Sequence, residues 1–447
     1  MPGIHVDSKR RPGLRPMGST PAASDQRRSL WHATAATAPT TATLEGRVEA
    51  DVVVVGAGYT GLSCALTLAE AGREVIVLEA GEIGHGASGR NGGQVIPGLK
   101  HDPDDLVARF GRDRGEALVG LVGGAADRVF ALIAKYRIDC AARQCGWIQP
   151  AHSAAAAQTI FARARQWSAR RAPVELRAGD RLALLLGTDV YVAGWLDRRA
   201  GALQPLSYVR GLARAAMTHG ARIHTGSAIT RIVREKEEWV AVSAQGEARA
   251  RQVVLATDAY SGALWPELVT NQVIVTSVQT ATGPLPEALR RTILPGGTVV
   301  SDTRKLLYYF RLDAEGRFVI GGRGSVTDTV SDSVYAALRR AAARMFPPLA
   351  RVPWPYRWFC HVGLTRDWLP HLAEVGTGAW TALGYCGRGV AMATTMGLLL
   401  GEALRDRREP AYPVAALKAI PLHSLRVPLL QAGIAYYRAL DALRSLS

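Results

Sequence analysis

The sequence predicts an α/β fold, with a parallel βαβ unit near its start and antiparallel strands further along. Three observations carry that prediction. The β-branched run Val52-Val53-Val54-Val55 has the pattern of a parallel strand buried on both faces. It runs directly into Gly56-x-Gly58-x-x-Gly61 and a helical pattern with Leu62, Ala65, Leu66 and Ala69 on one face. A second apolar strand, Val75-Ile76-Val77-Leu78, then ends on an acid, Glu79.

The other elements follow in order. Residues 1–46 are rich in Pro, Ser, Thr, Ala and Arg, which predicts an irregular extension, disordered before Ser29. Folded sequence is expected from near Val48. Gly72 suits the residue that stops the first helix. Residues 103–180 read mostly helical, with Ala/Arg-rich stretches around 115–135 and 154–171. A helix at 205–217 leads to a short strand at 221–224, then to meander strands at 228–233, 239–244 and 250–256. Asn271 to Thr282 alternates as a strand does. Leu306–Phe310 and Arg317–Gly321 form a hairpin across Asp313-Ala314-Glu315-Gly316. Helices are expected at 333–346, from the glycine-rich turn at Gly384 to Leu404, and in the tail at about 427–446.

Composition narrows the class. The chain has 447 residues, 48% hydrophobic and 21% charged, enough for about three structural units and a large core. Disorder as the main state, collagen and a small disulfide scaffold are excluded. The net charge is +16, yet only six of the 54 basic residues are lysine, and the arginines are spread along the chain. Without a basic run interleaved with aromatics, no specific nucleic-acid partner is expected; anion binding is the secondary reading. Five cysteines without paired spacing suit a reducing compartment, so a cytoplasmic location is expected. No apolar stretch reaches the ~18 residues of a membrane span, and no apolar region follows the N-terminal basic residues as a secretory signal requires. No metal-ligand spacing is present among the ten histidines.

Three motifs carry chemistry. In Gly56-x-Gly58-x-x-Gly61 the first glycine allows a tight turn, the second lets backbone approach a pyrophosphate, and the third lets helix pack on strand. The helix start presents free N–H groups to phosphate charge. Glu79, 18 residues after Gly61, is placed to accept hydrogen bonds from a ribose diol. The second motif runs from Gly84 to Gln94 and holds five glycines in eleven residues. There Arg90 can neutralise an anion, while Ser88, Asn91 and Gln94 offer hydrogen bonds. The third, Gly384-Tyr385-Cys386-Gly387-Arg388-Gly389-Val390, is another glycine-rich helix start.

These residues, in this order, resemble the D-amino-acid oxidase superfamily of flavoproteins, and within it the gamma-glutamylputrescine oxidoreductase group. Ser29-Leu-Trp-His-Ala-Thr34, Val254-Leu-Ala-Thr-Asp-Ala-Tyr260 and Thr365-Arg-Asp-Trp-Leu-Pro370 match further landmarks, so the likeness runs from about 29 to 425. The resemblance implies FAD, bound in a Rossmann-like domain of glutathione-reductase type, under an α+β antiparallel-sheet substrate domain. It places the FAD-binding domain in 47–105, 190–265 and 355–412, and the substrate domain in 106–189 and 266–354, with a tail helix in 413–447. It implies Gly56, Gly58, Tyr59, Thr60, Gly61, Glu79 and Ala80 at the ADP half. Ser88, Arg90, Asn91, Gly92, Gly93, Gln94 and Thr257 also fall to the cofactor, and Gly384, Gly387, Arg388, Gly389 and Val390 to the pyrimidine end of its ring.

Two departures stand out. Cys386 and Arg388 replace a Ser and a His common in the family loop, and a fixed cation there would stabilise a reduced, anionic ring. Cys360 has the spacing to Thr365 and Asp367 of a flavin-linking cysteine in monomeric sarcosine oxidases. A buried inert thiol is the favoured reading of it. On the substrate side, Tyr309, Arg311, Arg323 and Trp358 are candidates, arginine because it grips carboxylates in bidentate fashion. Strand alternation puts Tyr309 and Arg311 on one face and Tyr308 on the other.

The expected activity is therefore oxidation of an amine C–N bond, with hydride passing to the flavin and the imine hydrolysed. The substrate implied is gamma-glutamylputrescine or a similar amine, and the electron acceptor is oxygen or another oxidant. No acid–base side chain is assigned. An oxidase or dehydrogenase of amino acids or N-methyl amino acids is one alternative. A low-turnover flavin-binding subunit is another.

Overall fold

The computed structural model describes residues 29–324, 329–433 and 436. The expected disorder before Ser29 and most of the tail helix lie outside the described residues; of the tail, 426–433 are helical. Two eight-stranded sheets dominate. The first runs in the order His371–Gly376, Ala379–Leu383, Gly246–Leu255, Gly46–Val55, Val75–Leu78 and Arg222–His224, with Glu238–Val242 and Arg231–Glu235 branching from Gly246–Leu255. Gly46–Val55 pairs in parallel with both neighbours. The valine run fits because both faces are buried: Val52 and Val54 join one apolar cluster, Val53 and Val55 another.

The second sheet runs Tyr356–Thr365, Gln272–Pro284, Arg317–Arg323, Tyr308–Leu312, Val299–Ser301, Trp147–Ala151, Ala193–Asp197 and Val174–Ala178. Only the Val299–Ser301/Trp147–Ala151 pair is parallel; the other pairs in it are antiparallel. The helix Asp332–Met345 backs this sheet through Tyr335, Leu338 and Met345. Ala193–Asp197 and Tyr356–Thr365, which fall in segments expected in the FAD-binding domain, pair within the second sheet. The stretch 103–180 is helical at Pro103–Phe110, Arg112–Gly123, Ala125–Lys135 and Ala154–Ala169, yet strands Trp147–Ala151 and Val174–Ala178 interrupt it. Nor does folded structure wait for Val48. Leu30–Thr34 is a short helix, capped by Ser29, whose Leu30 and Trp31 are fully buried.

Two helices set the geometry of the centre. Tyr59–Glu70 and Gly389–Asp406 lie side by side and parallel. Gly397 permits the contact, since a Cβ there would sit 2.3 Å from the Thr60 carbonyl oxygen, and Gly401 would meet Thr67 at 2.6 Å. Both glycine-rich helix starts therefore face the same end of the molecule. A hydroxyl contact between Thr60 and Tyr385 ties them together. Among the described residues no single helix is long and apolar enough to cross a membrane. Arg112–Gly123 and Ala125–Lys135 reach that length only together, across a 42° bend.

Candidate active site

One cavity of about 420 Å³ runs from the first glycine turn to the second, between the two sheets. At one end Gly56, Gly58, Tyr59, Thr60, Glu79 and Ala80 line it, with Ser227, Ala228 and Thr257. Gly56 takes φ +110, and its backbone lies so close to Ala256 that a Cβ would stand 2.8 Å from that carbonyl oxygen. Gly61 does not line the cavity. It does what the motif requires: a Cβ there would come within 2.0 Å of the Gly56 carbonyl oxygen. The Glu79 carboxylate accepts from the Ala57 N–H at 2.8 Å and the Gly81 N–H at 3.0 Å. Burial pushes its pKa up, against those N–H donors.

The middle is formed by the loop around Ser88. Ser88 Oγ accepts from the Tyr59 N–H at 2.9 Å, and a Cβ on Gly58 would lie 2.9 Å from it. Asn91 was expected to offer hydrogen bonds to a ligand. Its amide is instead spent on the protein, donating to Tyr59 Oη and the Ser88 carbonyl and accepting from the Gly93 N–H. Gln94 and Gly92 line the cavity, and Gln94 is bolted to the second sheet through the Val300 carbonyl and Ser301. Arg90 lies behind the wall: it is buried, its carbonyl accepts from Trp358 Nε1 at 3.0 Å, and its Nη1 has no hydrogen-bond partner among the described residues. Gly93 is likewise packed away, against the Arg311 guanidinium and the Leu203 carbonyl.

At the other end, Gly387, Arg388, Gly389 and Val390 meet Tyr309, Arg323 and Cys360. Gly384 lies behind this turn, where Asp258 Oδ1 accepts its N–H at 2.8 Å. Arg388 is buried, stacks 4.8 Å from the Trp147 ring, and has no hydrogen-bond or ion-pair partner among the described residues. Burial and the nearby Arg163 draw its pKa down to about 9. Tyr309 stands between two glycines, since a Cβ on Gly92 or Gly321 would clash with its ring, and its hydroxyl meets Ser277 Oγ at 2.8 Å. The Cys360 thiol faces the cavity, with its pKa pushed up to about 12 by burial.

Two expected substrate residues are elsewhere. Arg311 is on the same strand face as Tyr309, as alternation requires, but it is buried structure. Its Nε donates to the Gly92 carbonyl at 2.9 Å and its Nη2 to the Leu203 carbonyl at 2.7 Å. Trp358 stacks edge-on against Trp31 at 5.5 Å and also stays off the cavity. Trp31 in turn donates to the Asn91 carbonyl at 2.7 Å and lies under Arg311. These groups clamp the glycine-rich loop from behind. The composition reading did not single out Lys100 or Asp258, both of which line the cavity. Asp258 falls inside a quoted landmark; Lys100 falls in no motif.

The family model for FAD dependent oxidoreductase (DAO) matches residues 51–403, which contain both glycine turns. The chain belongs to this family. Over 406 residues it is 33% identical to the gamma-glutamylputrescine oxidoreductase of Escherichia coli (strain K12), covering 90% of this chain and 95% of that protein. It is 32% identical to a probable oxidoreductase OrdL of Haemophilus influenzae, over 88% of this chain and 93% of that one. Among solved structures, the glycine oxidase from Geobacillus kaustophilus superposes with a TM-score of 0.69 at 22% identity, covering 83% of this chain and 99% of that one. An L-amino acid deaminase from Proteus vulgaris superposes with a TM-score of 0.66 at 20% identity, over 89% of this chain and 97% of that one. A second model, pyridine nucleotide-disulphide oxidoreductase, matches residues 13–86, which include the first glycine turn.

The protein is thus an FAD-dependent oxidoreductase of the DAO family that acts on the CH–NH or CH–NH2 bond of amines or amino acids. The cavity fits the cofactor. It is continuous between two parallel helix starts, and the backbone at Gly58 is bare of side chain where a ligand must come close.

Proposed function

We propose that the enzyme oxidises the C–N bond of an amine that also carries a carboxylate, gamma-glutamylputrescine or a similar compound. The observation that carries this reading is the wall at the second glycine turn. Arg388 and Arg323 line it, and Arg388 makes no ion pair among the described residues, the nearby Asp197 and Asp102 being paired with Arg199 and Arg163. An unpartnered buried guanidinium is costly unless a ligand supplies the anion. The 33% identical relative, named for gamma-glutamylputrescine, supports the same choice.

On this reading Gly56, Gly58, Thr60 and Glu79 hold the ADP half of FAD. Ser88, Gly92 and Gln94 meet its middle, and Gly387–Val390 its ring. When bound, FAD accepts the hydride at N5. The protein orients the amine, excludes water and supplies charge; the imine product is then hydrolysed to an aldehyde and ammonia. Tyr309 and Arg323 remain substrate contacts, whereas Arg311 and Trp358 become supports. The first sheet with its helices is the FAD-binding domain and the second sheet the substrate domain. Five free thiols suit the cytoplasm.

Anaerobic titration tests the substrate. Gamma-glutamylputrescine is expected to bleach the flavin at least ten times more efficiently than putrescine, which lacks the carboxylate. Equal bleaching by both would sink the carboxylate reading. Cys360 in the cavity favours, by position alone, a sarcosine-type enzyme with a covalent flavin. Its neutral thiol is a poor nucleophile, so we propose noncovalent FAD. Acid precipitation is expected to leave a white pellet and a yellow supernatant. A yellow pellet that turns white in Cys360→Ala would reverse that assignment.

A further inference from the structure

Lys100 sits on the segment between strand Gln94–Val95 and helix Pro103–Phe110 and lines the cavity. Arg388 on the second glycine turn and Arg323 at the end of strand Arg317–Arg323 line the same cavity, and Arg163 on helix Ala154–Ala169, itself paired with Asp102, adds to the positive charge that acts on Lys100. Cys386 lines the same cavity. The carboxylates of this region are engaged elsewhere: Asp102 with Arg163, Asp104 with Arg170, Asp197 with Arg199. Lys100 itself has no hydrogen-bond or ion-pair partner among the described residues. Lys100 is half-buried, and an amine partly withdrawn from water beside like charge holds its proton less tightly. Burial first, and Arg388 next, draw its pKa down to about 7.

We propose that Lys100 is the base that takes the ammonium proton from the substrate amine. The inference rests on the amine chemistry of the enzyme and not on which amine is used. One N–H bond of the substrate ammonium breaks, and its electron pair stays on the substrate nitrogen. The lone pair of Lys100 Nζ binds the proton. One cation replaces another, so the cavity's net charge is unchanged. The freed lone pair on the substrate then permits loss of hydride from the α-carbon.

Several other groups lining the cavity are poorly suited; Asp302, for one, is paired with Arg304. Burial and Arg90 hold His85 down at about 4, too weak a base to compete. Glu79 and Asp258 are held by backbone N–H donors. Burial raises the pKa of Tyr309 and of Cys386, so both stay protonated and neither can accept a proton.

Two measurements test this. The first is competitive acylation of the holoenzyme with an amine-reactive ester, read by peptide mass spectrometry from pH 6 to 10. Lys100 is expected to label with a midpoint near pH 7. A midpoint at or above pH 9 would overturn the proposal.

The second is the anaerobic rate of flavin reduction as a function of pH. The wild type is expected to lose rate below about pH 7. Lys100→Met and Lys100→Gln are expected to bind FAD normally, to be about 100-fold slower at pH 7, and to move that limb up toward the substrate's own amine. Lys100→Arg, a permanent cation that cannot accept a proton, is expected to be equally slow. Wild-type reduction rates in these variants, or a loss confined to reoxidation by oxygen, would overturn it too. If gamma-glutamylputrescine fails to bleach even the wild type, the substrate reading fails. Lys100 is then judged by acylation and by whichever amine does bleach.

Discussion

Gly61→Val is expected to yield a folded protein that does not retain FAD. A Cβ at this position would lie 2.0 Å from the Gly56 carbonyl oxygen and 3.1 Å from Val54 Cγ1. The strand end cannot yield, because Gly56 at φ +110 is already pressed against the Ala256 carbonyl. The start of helix Tyr59–Glu70 must therefore lift. Its other flank rests on helix Gly389–Asp406 through Gly397, so the displacement spoils both glycine turns at once. Overpacking of this kind costs ~1–3 kcal/mol of stability. We expect FAD affinity to fall more than 100-fold, because the helix start and the backbone at Gly58 no longer meet the pyrophosphate. Flavin absorbance per polypeptide reads the first effect, and denaturant unfolding of the apoprotein the second. Gly120→Ala is the control. It lies in helix Arg112–Gly123 with nothing within 4 Å of its Cβ, so it should keep FAD and gain ~0.5–1 kcal/mol. A Gly61→Val protein with stoichiometric FAD would refute the steric argument.

The same contacts explain why this region was legible in the sequence. A valine run buried on both faces, a turn that needs glycine and a helix that needs a bare contact are local requirements, and each leaves its residue type in the chain. The interruption of 103–180 by Trp147–Ala151 left a weaker trace. That strand contains Pro150, and its parallel partner Val299–Ser301 is about 150 residues away in sequence. The site divides in the same way. Alternation put Tyr309 and Arg311 on one strand face. It could not say that the face meets the cavity at Tyr309 and the carbonyls of Gly92 and Leu203 at Arg311. Trp31 sits in a stretch whose composition resembles a loose extension, yet its partners Asn91, Arg311 and Trp358 come from three distant segments. Lys100 is the extreme case. Nothing in Pro97-Gly-Leu-Lys100 marks it, because its lowered pKa comes first from burial and then from arginines brought in by other elements.

Arg388→Met should make the protein more stable and the bound flavin harder to reduce. The guanidinium is buried without a hydrogen-bond or ion-pair partner among the described residues, and it lies 4.8 Å over the Trp147 ring. Such a cation–π contact returns ~1–2 kcal/mol in a desolvated setting, less than an uncompensated buried charge costs. Methionine keeps most of the packing and removes the charge, so we expect a gain of about 1–2 kcal/mol in the apoprotein. The sign of the pH dependence follows from the depressed pKa. The native state binds this proton less tightly, at about 9, than the unfolded chain does. The penalty is therefore complete at pH 7–8, where the gain from Arg388→Met should be measured. Function moves the opposite way. A cation near the ring favours the anionic reduced form, so its loss should lower the two-electron potential, by ~30 mV for each 1.4 kcal/mol withdrawn. Arg388→Lys keeps a charge and should keep much of the potential. An Arg388→Met protein that is less stable and shows an unchanged potential would mean that this arginine does not tune the flavin. The expected pair of results would mean that the fold carries a destabilising charge because the chemistry of the cavity needs it.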